Sequence, residues 1–272
     1  MGGNMKIKLT CIAMVFLWTV SCFAAGQEKT VTITTLVDFA PYCFKKKNAI
    51  DHLQETIPPG SDSSQLQGYS WDVVRESFHE MGYTIFLMIT PWTRGMGYVQ
   101  KGTADVIFPA IKTRKREEIF LYSNAVVDET NIVVYVSANS DVDMQKGLAS
   151  LQGCRISQVR GWAYGKKWEA DQGIIKDSTD TILQGFKMLD RKNVFGVVGY
   201  ENAFDCKLKT EGIIDKYKKS PPIDHVADYL MGKKNHGPAV RIVSDFDAGK
   251  KKIMDNGKLE TINTKWKWID PS

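Results

Sequence analysis

Four histidines and five cysteines in 272 residues leave little of the material from which metal centres and nucleophilic sites are made. His52, His79, His225 and His236 sit in no recognisable nucleophile or metal motif, and the cysteines are spaced too widely for a compact zinc site. Gly-x-Ser-x-Gly, His-Glu-x-x-His and a phosphate-binding Gly-Lys-Ser/Thr are all missing, which excludes the enzyme classes those motifs mark. No short-period repeat, low-complexity tract or Pro/Gly/Ser-rich linker divides the chain. Charge of one sign is scarce as well: the formal net charge is +5, too mild to mark a nucleic-acid surface. The short basic runs Lys45–Lys47 and Lys250–Lys252 are expected on solvated faces. What remains is an ordinary globular profile, 43% hydrophobic, 25% charged and 11% aromatic, long enough for one or two domains with a sizeable core.

Long apolar runs are missing except at the N-terminus. Lys6 and Lys8 precede an apolar stretch from Leu9 to Ala25 that closes on Ala24, Ala25 and Gly26. A basic start, an apolar middle and small residues at the end are the three parts of a secretory signal peptide, so residues 1–25 are expected to be removed and the protein to act outside the cytoplasm. A membrane anchor is the competing reading, but the strongly apolar part is short for a span of about 20 residues. Val20-Ser21-Cys22 resembles the end of a bacterial lipobox, with Thr19 where Leu is usual, so lipid anchoring at Cys22 is a second route to the same compartment. Loss of Lys6 and Lys8 lowers the net charge from +5 to +3. Cys43, Cys154 and Cys206 remain; an oxidising compartment permits one bridge among them, without the sequence choosing a pair.

Beyond the leader the pattern alternates. Val31–Leu36 is strand-like and is followed by the loop Asp38-Phe39-Ala40-Pro41-Tyr42; residues 45–67, with Pro58-Pro59-Gly60, read as an exposed loop. Val73, Val74, Phe78 and Met81 recur at helical spacing after Gly68, with Trp71 expected in the core. Tyr83–Ile89 is a strand, Pro91–Lys101 a helix ended by Gly102, and Asp105–Phe108 a strand. The order returns with Arg155–Val159 as strand, Trp162–Gln172 and Asp180–Leu189 as helices, and Val194–Gly199 as strand. Asn131–Val136 is a strand between the two series, and Asp247–Trp268 reads as a helical tail. This is α/β alternation with parallel pairing, arranged in two lobes.

Gly68-Tyr69-Ser70-Trp71-Asp72, then Pro91-Trp92, Gly102, Asp105-Val106-Ile107, Thr113, Arg116 and Tyr122-Ser123 form an ordered constellation. With the Asp38–Tyr42 loop, Val194–Glu201 (VFGVVGYE) and the terminal Thr264-Lys265-Trp266, it resembles the type II periplasmic solute-binding proteins of family 3, the polar amino acid receptors of ABC transporters. The resemblance spans nearly the whole chain beyond the leader. It implies two lobes, each a mostly parallel sheet flanked by helices, joined by a double-crossover hinge. Lobe one is then 30–133 plus 224–272 and lobe two 134–223.

The resemblance also implies a site. Arg116 becomes the clamp for a ligand carboxylate, which suits a planar guanidinium fork, while Arg114 and Lys115 face solvent. Phe39 and Trp92 become aromatic walls, although burial in the core is an equal alternative for each. Arg160 and Trp162 lie where the second lobe presents its ligand-facing turn; Arg160 would add a positive charge there, and Trp162 either faces the ligand or plugs the hinge. The chain departs from the family at Tyr200, where an Asp usually holds the ligand's ammonium, and at Ile111, where Ser or Thr is usual. A buried ammonium without a carboxylate is costly, so Glu201 or Asp38 substitutes, or Tyr200 supplies a cation–π contact, or the ligand is no standard α-amino acid. The implied function is an extracytoplasmic receptor that binds a small amino acid or related polar carboxylate and passes it to a membrane permease, with no cofactor or metal and no enzymatic activity. A sensor for a signalling partner and an enzyme on the same scaffold are the alternatives.

Overall fold

The computed structural model describes residues 1–2, 29–49 and 54–266. Residues 3–25 of the expected signal segment, Cys22 among them, and Trp268 lie outside these. Among the described residues no helix is long and apolar enough to cross a membrane.

The first part of the chain builds a parallel sheet by crossover. β1 (Lys29–Thr35) buries Val31 and Ile33 and leads into a small three-stranded sheet of β2 (Asp38–Phe39), β3 (Cys43–Lys45) and, later, β5 (Leu66–Gln67); β4 (Gln54–Ile57) lies between β3 and β5 in sequence. Then α1 (Tyr69–Glu80) crosses to β6 (Tyr83–Ile89), and α2 (Trp92–Lys101) crosses back to β7 (Val106–Ile111). Both β6 and β7 pair in parallel with β1, as strands joined through helices do. A single turn, α3 (Arg114–Glu117), precedes β8 (Phe120–Ser137), an eighteen-residue strand.

Beyond β8 the alternation resumes with β9 (Arg155–Val159), α4 (Gly165–Ala170), β10 (Ile175–Thr179), α5 (Ile182–Asp190), β11 (Gly196–Tyr200) and α6 (Glu201–Thr210). β9 pairs in parallel with both β10 and β11. The chain then adds β12 (Tyr217–Lys219) and returns along β13 (Asp224–Lys233) to α7 (Gly237–Asp255) and α8 (Lys258–Lys265). The strands stand in the order β10-β9-β11-β8-β13-β7-β1-β6-β4, with β12 on β8. Parallel flanks are thus joined by a central antiparallel pair: β8 runs against β13 from Phe120 to Ile132 and against β11 from Ile132 to Val136.

Trp71, Val73, Val74 and Phe78 of α1 are buried, with Phe78 packed on Phe246 of α7 at 5.8 Å between ring centres. Each such side chain contributes about 1.5–3 kcal/mol by leaving water. Asp72, itself buried, accepts from Trp266 Nε1 at 2.8 Å and Lys265 Nζ at 2.7 Å and so fastens the end of α8 to α1. Cys43, Cys154 and Cys206 carry free thiols.

Four local expectations change. Residues 45–67 are not simply an exposed loop: β4 pairs antiparallel on the edge of β6, and Ile57, Ser63 and Leu66 are buried. Ser63 Oγ accepts from the backbone of Gln65 and Leu66, so side chains do there what a ladder does elsewhere. The helix expected from Trp162 starts at Gly165, because Gly161 and Gly165 take φ of +76° and +86° and turn the chain first. The C-terminal helix begins earlier, at Gly237, and breaks before Lys258. Lys250 is buried rather than solvated, its amine donating to Val126 O at 3.1 Å.

Candidate functional site

Three local devices aim side chains at the seam where the central strands cross. The first is the N-terminus of α1. Its leading amides lack helical partners, and those of Tyr69 and Ser70 donate to Pro41 O and Tyr42 O, both at 3.0 Å. Gly68 makes this approach feasible: its φ is +133°, and a Cβ there would stand 2.1 Å from Tyr42 O. The loop is thereby pinned, with Phe39 buried and stacked on Tyr42 at 5.0 Å.

The second is the cap of α3. Thr113 Oγ1 accepts from Arg116 N, which orients a half-buried Arg116. Its guanidinium donates to Ile111 O at 3.0 Å and, across the seam, to Gly161 O at 2.7 Å. It also lies 5.6 Å from the centre of the Trp92 ring. Arg114 and Lys115 are exposed. The third is the turn after β9, which carries Trp162 inward. Phe39, Trp162 and Tyr200 meet edge to face at 5.1–5.5 Å, a triangle drawn from three separate segments. Tyr200 donates to Ala163 O at 2.8 Å.

Phe39, Trp92, Arg116, Trp162 and Tyr200 therefore line one cavity, together with Leu36, Pro109, Ile111, Ala163 and Asp228. The free space is room for about one water. The aromatic triangle and the Arg116–Gly161 bond occupy the seam, and a ligand of amino-acid size enters only by parting them.

Asp228 has no sequence motif to announce it. It is 1% exposed on β13, and the antiparallel register sets it directly opposite Asp128 of β8, at a bulge. Asp128 accepts from Ser70 Oγ; Asp128 Oδ1 and Asp228 Oδ2 receive no donor from any other described group, and the two carboxyls stand within hydrogen-bonding reach of each other. Burial, reinforced by the facing Asp128, holds the Asp228 carboxyl well above the usual carboxylate range; Arg116 acts in the opposite sense. Burial pushes Asp128 up to about 6. Lys250, near Asp128, is pulled down to about 8 by its own burial. Trp92 leaves a second orphan in the cavity lining: its indole Nε1–H is buried without an acceptor.

Three residues singled out in the sequence stand elsewhere. Asp38 is exposed on β2. Arg160 is exposed and paired with Asp180 at 3.1 Å, because the turn that brings Trp162 inward faces Arg160 outward. Glu201, the first residue of α6, is tied to Lys219 at 2.6 Å and to Asn131 at 3.0 Å. An acid in the first helical turn is favoured there by the helix dipole, and none of the three lines the cavity.

Residues 31–268 match the family described as bacterial extracellular solute-binding proteins, family 3. Among curated proteins the chain is similar to the L-cystine-binding protein TcyK of Bacillus subtilis (strain 168), 24% identical over 96% of each chain. Among solved structures it resembles an ABC uptake transporter substrate-binding protein from Streptococcus pneumoniae with bound histidine, at 18% identity and a TM-score of 0.70, covering 87% of this chain and 92% of that one. It also resembles a histidine kinase sensor domain with similarity to periplasmic binding proteins, at 15% identity and a TM-score of 0.72, covering 88% and 96%. The fold is that of the two-lobed periplasmic binding proteins.

Proposed function

The chain belongs to the bacterial extracellular solute-binding proteins of family 3, and on that footing we propose that it is the extracytoplasmic substrate-binding component of an ABC importer. Its ligand is a small amino acid or related polar carboxylate held between lobe one (30–133 plus 224–272) and lobe two (134–223). Residues 1–25 serve as the export signal, and a membrane permease receives the ligand. The observation that carries this reading is Arg116: a guanidinium in an aromatic-lined seam, bonded to a carbonyl from the opposite side. Such a fork exchanges that carbonyl for a carboxylate with a gain in charge-assisted hydrogen bonding. Opening then amounts to a hinge at the β8–β13 crossing that parts the aromatic triangle. Phe39, Trp92, Trp162 and Tyr200 form the walls against which the ligand packs.

A thermal-shift screen with amino acids, amines and small carboxylates tests the reading, since a ligand at a hundredfold excess over Kd stabilises the native state by about 2.7 kcal/mol. Arg116→Ala is expected to abolish the shift while the unliganded protein stays folded; an unchanged affinity removes Arg116 from the site. The shared fold of a histidine kinase sensor domain favours a second readout, presentation of the liganded form to a signalling protein. Co-purification with the permease of a neighbouring transporter operon separates the two.

A further inference from the structure

The carboxylate end of the ligand has Arg116; its amine has no evident partner among the residues the family pattern offers. Tyr200 stands where an acid is usual, and Asp38 and Glu201 lie outside the cavity. Asp228 does line it, 1% exposed, with Oδ2 unpartnered. Directly across the ladder is a second buried acid, Asp128, 4% exposed and likewise short of a donor at Oδ1. Among the described residues neither carboxyl forms an ion pair. Like charges opposite one another in a ladder are destabilising, and two carboxylates sharing a dry site do not both ionise. A buried acid pair at the wall of a cavity whose anion pole is already built is costly as architecture, and becomes intelligible as the seat of a cation.

We propose that Asp228, backed by Asp128, is the cation pole of the cleft. It accepts the protonated amine of the ligand whose carboxylate Arg116 holds, and the proton shared by the empty pair leaves for solvent as the amine arrives. The balance is simple. The empty pair carries one proton and one negative charge; the occupied pair carries two negative charges against one ammonium, and one proton is released. The identification of the ligand class rests on the receptor reading above.

The surroundings permit this. Arg116 of α3 acts on Asp228, and Lys250 of α7 and Glu129 of β8 act on Asp128. Ser70 of α1 donates to Asp128. Tyr42, Cys43 and Tyr200 are neutral neighbours, each raised by burial. Arg116, the cation that acts on Asp228, turns to the ligand's carboxylate, so the pair's second charge awaits the ligand's amine.

Isothermal titration tests the proposal with three matched pairs of probes: L-histidine and imidazole-4-propionate, L-arginine and 5-guanidinovalerate, L-cystine and 3,3′-dithiodipropionate. The expected result is that at least one amino acid binds about 10- to 100-fold more tightly than its desamino partner. Its binding heat then varies with buffer ionisation enthalpy as release of about one proton near neutral pH requires. Asp228→Asn removes both the preference and the release. Asp128→Asn, which keeps the cavity carboxylate, retains the preference and releases a smaller fraction of a proton at neutral pH, since burial alone still raises Asp228. If Asp228→Asn keeps the preference in a protein that still melts cooperatively, or the heat is independent of buffer, the cation pole is overturned and the receptor reading stands. If none of the six probes binds, the amino acid receptor reading fails and takes this inference with it.

Discussion

Replacing Asp128 by Asn changes one buried oxygen for an amide, and the structure sets how much this is worth. In the folded protein burial holds the Asp128 carboxyl at about 6, against an ordinary 3.8. Two units at about 1.4 kcal/mol each make its ionisation in the fold cost roughly 3 kcal/mol. A carboxyl whose folded value lies above its unfolded one contributes stability that is complete below about 3.8 and is lost as pH rises through about 6. The wild type is therefore expected to weaken between pH 4.5 and 7 by an amount that Asp128→Asn does not lose. The amide still accepts from Ser70 Oγ, and it offers Asp228 a donor at every pH, where the carboxyl does so only while the pair holds its proton. Near pH 4.5 the two proteins are expected to melt within a degree or two of each other. By pH 7 the variant should gain about 2 kcal/mol on the wild type, roughly 4–8 °C in Tm for a domain of this size, because about a third of the loss has already fallen below pH 4.5. Thermal melts or urea titrations at half-unit steps from pH 4.5 to 7.5, without ligand, read this directly. Parallel curves for the two proteins, or a variant less stable at pH 7, would refute the account of the pair as a strained, proton-sharing one.

Two further outcomes follow from the same geometry. Gly68→Ala sets a Cβ 2.1 Å from Tyr42 O at a φ of +133° and is expected to cost about 3 kcal/mol in urea unfolding; a loss under 1 kcal/mol would show that the Phe39–Tyr42 loop gives way freely. Arg160→Ala and Glu201→Gln are expected to leave ligand affinity within about twofold, since exposed pairs such as Arg160–Asp180 contribute at most about 1 kcal/mol to stability and neither residue lines the cavity; a tenfold loss in calorimetry from either would return it to the site.

Where punctuation and periodicity agree, the sequence is a good guide to the fold. Tyr83–Ile89 and Arg155–Val159 have the same ends in both readings, and the helix of Trp71, Val74 and Phe78 begins at Gly68 as its turn chemistry suggests. β13 escapes notice because Asp224–Lys233 mixes acids, His and Lys with apolar residues and carries no turn signal. It is a strand by virtue of its two neighbours. β4 and β5 are short and polar, set among turn residues, so their pairing is invisible until β6 presents an edge. For the cleft, family resemblance located Phe39, Trp92, Arg116, Trp162 and Tyr200, which do share a cavity. It also nominated Asp38, Arg160 and Glu201, which are adjacent in sequence to cavity residues yet face away, since a turn or a helix start reverses direction within one residue. Asp228 was not legible at all. Its significance lies in register, one hundred residues from Asp128 along the chain and opposite it in the sheet.

The return of β13 between β7 and β8 also sets an order of assembly. β9, β10, β11 and β12 find all their partners among residues 132–219, so that flank closes as soon as that stretch is available. β7 finds its outer partner only at Asp228–Gly232, more than a hundred residues later, and α1 receives Lys265 and Trp266 later still. Contacts of that separation carry a loop-closure cost before they contribute anything. The N-terminal flank, although synthesised first, is thus completed last, and until then it exposes the unpaired edge of β7 with the buried faces of β1 and α1. Under the export proposed above this is a useful delay, because a polypeptide whose first-made half cannot close stays threadable until residues 228–266 have been made.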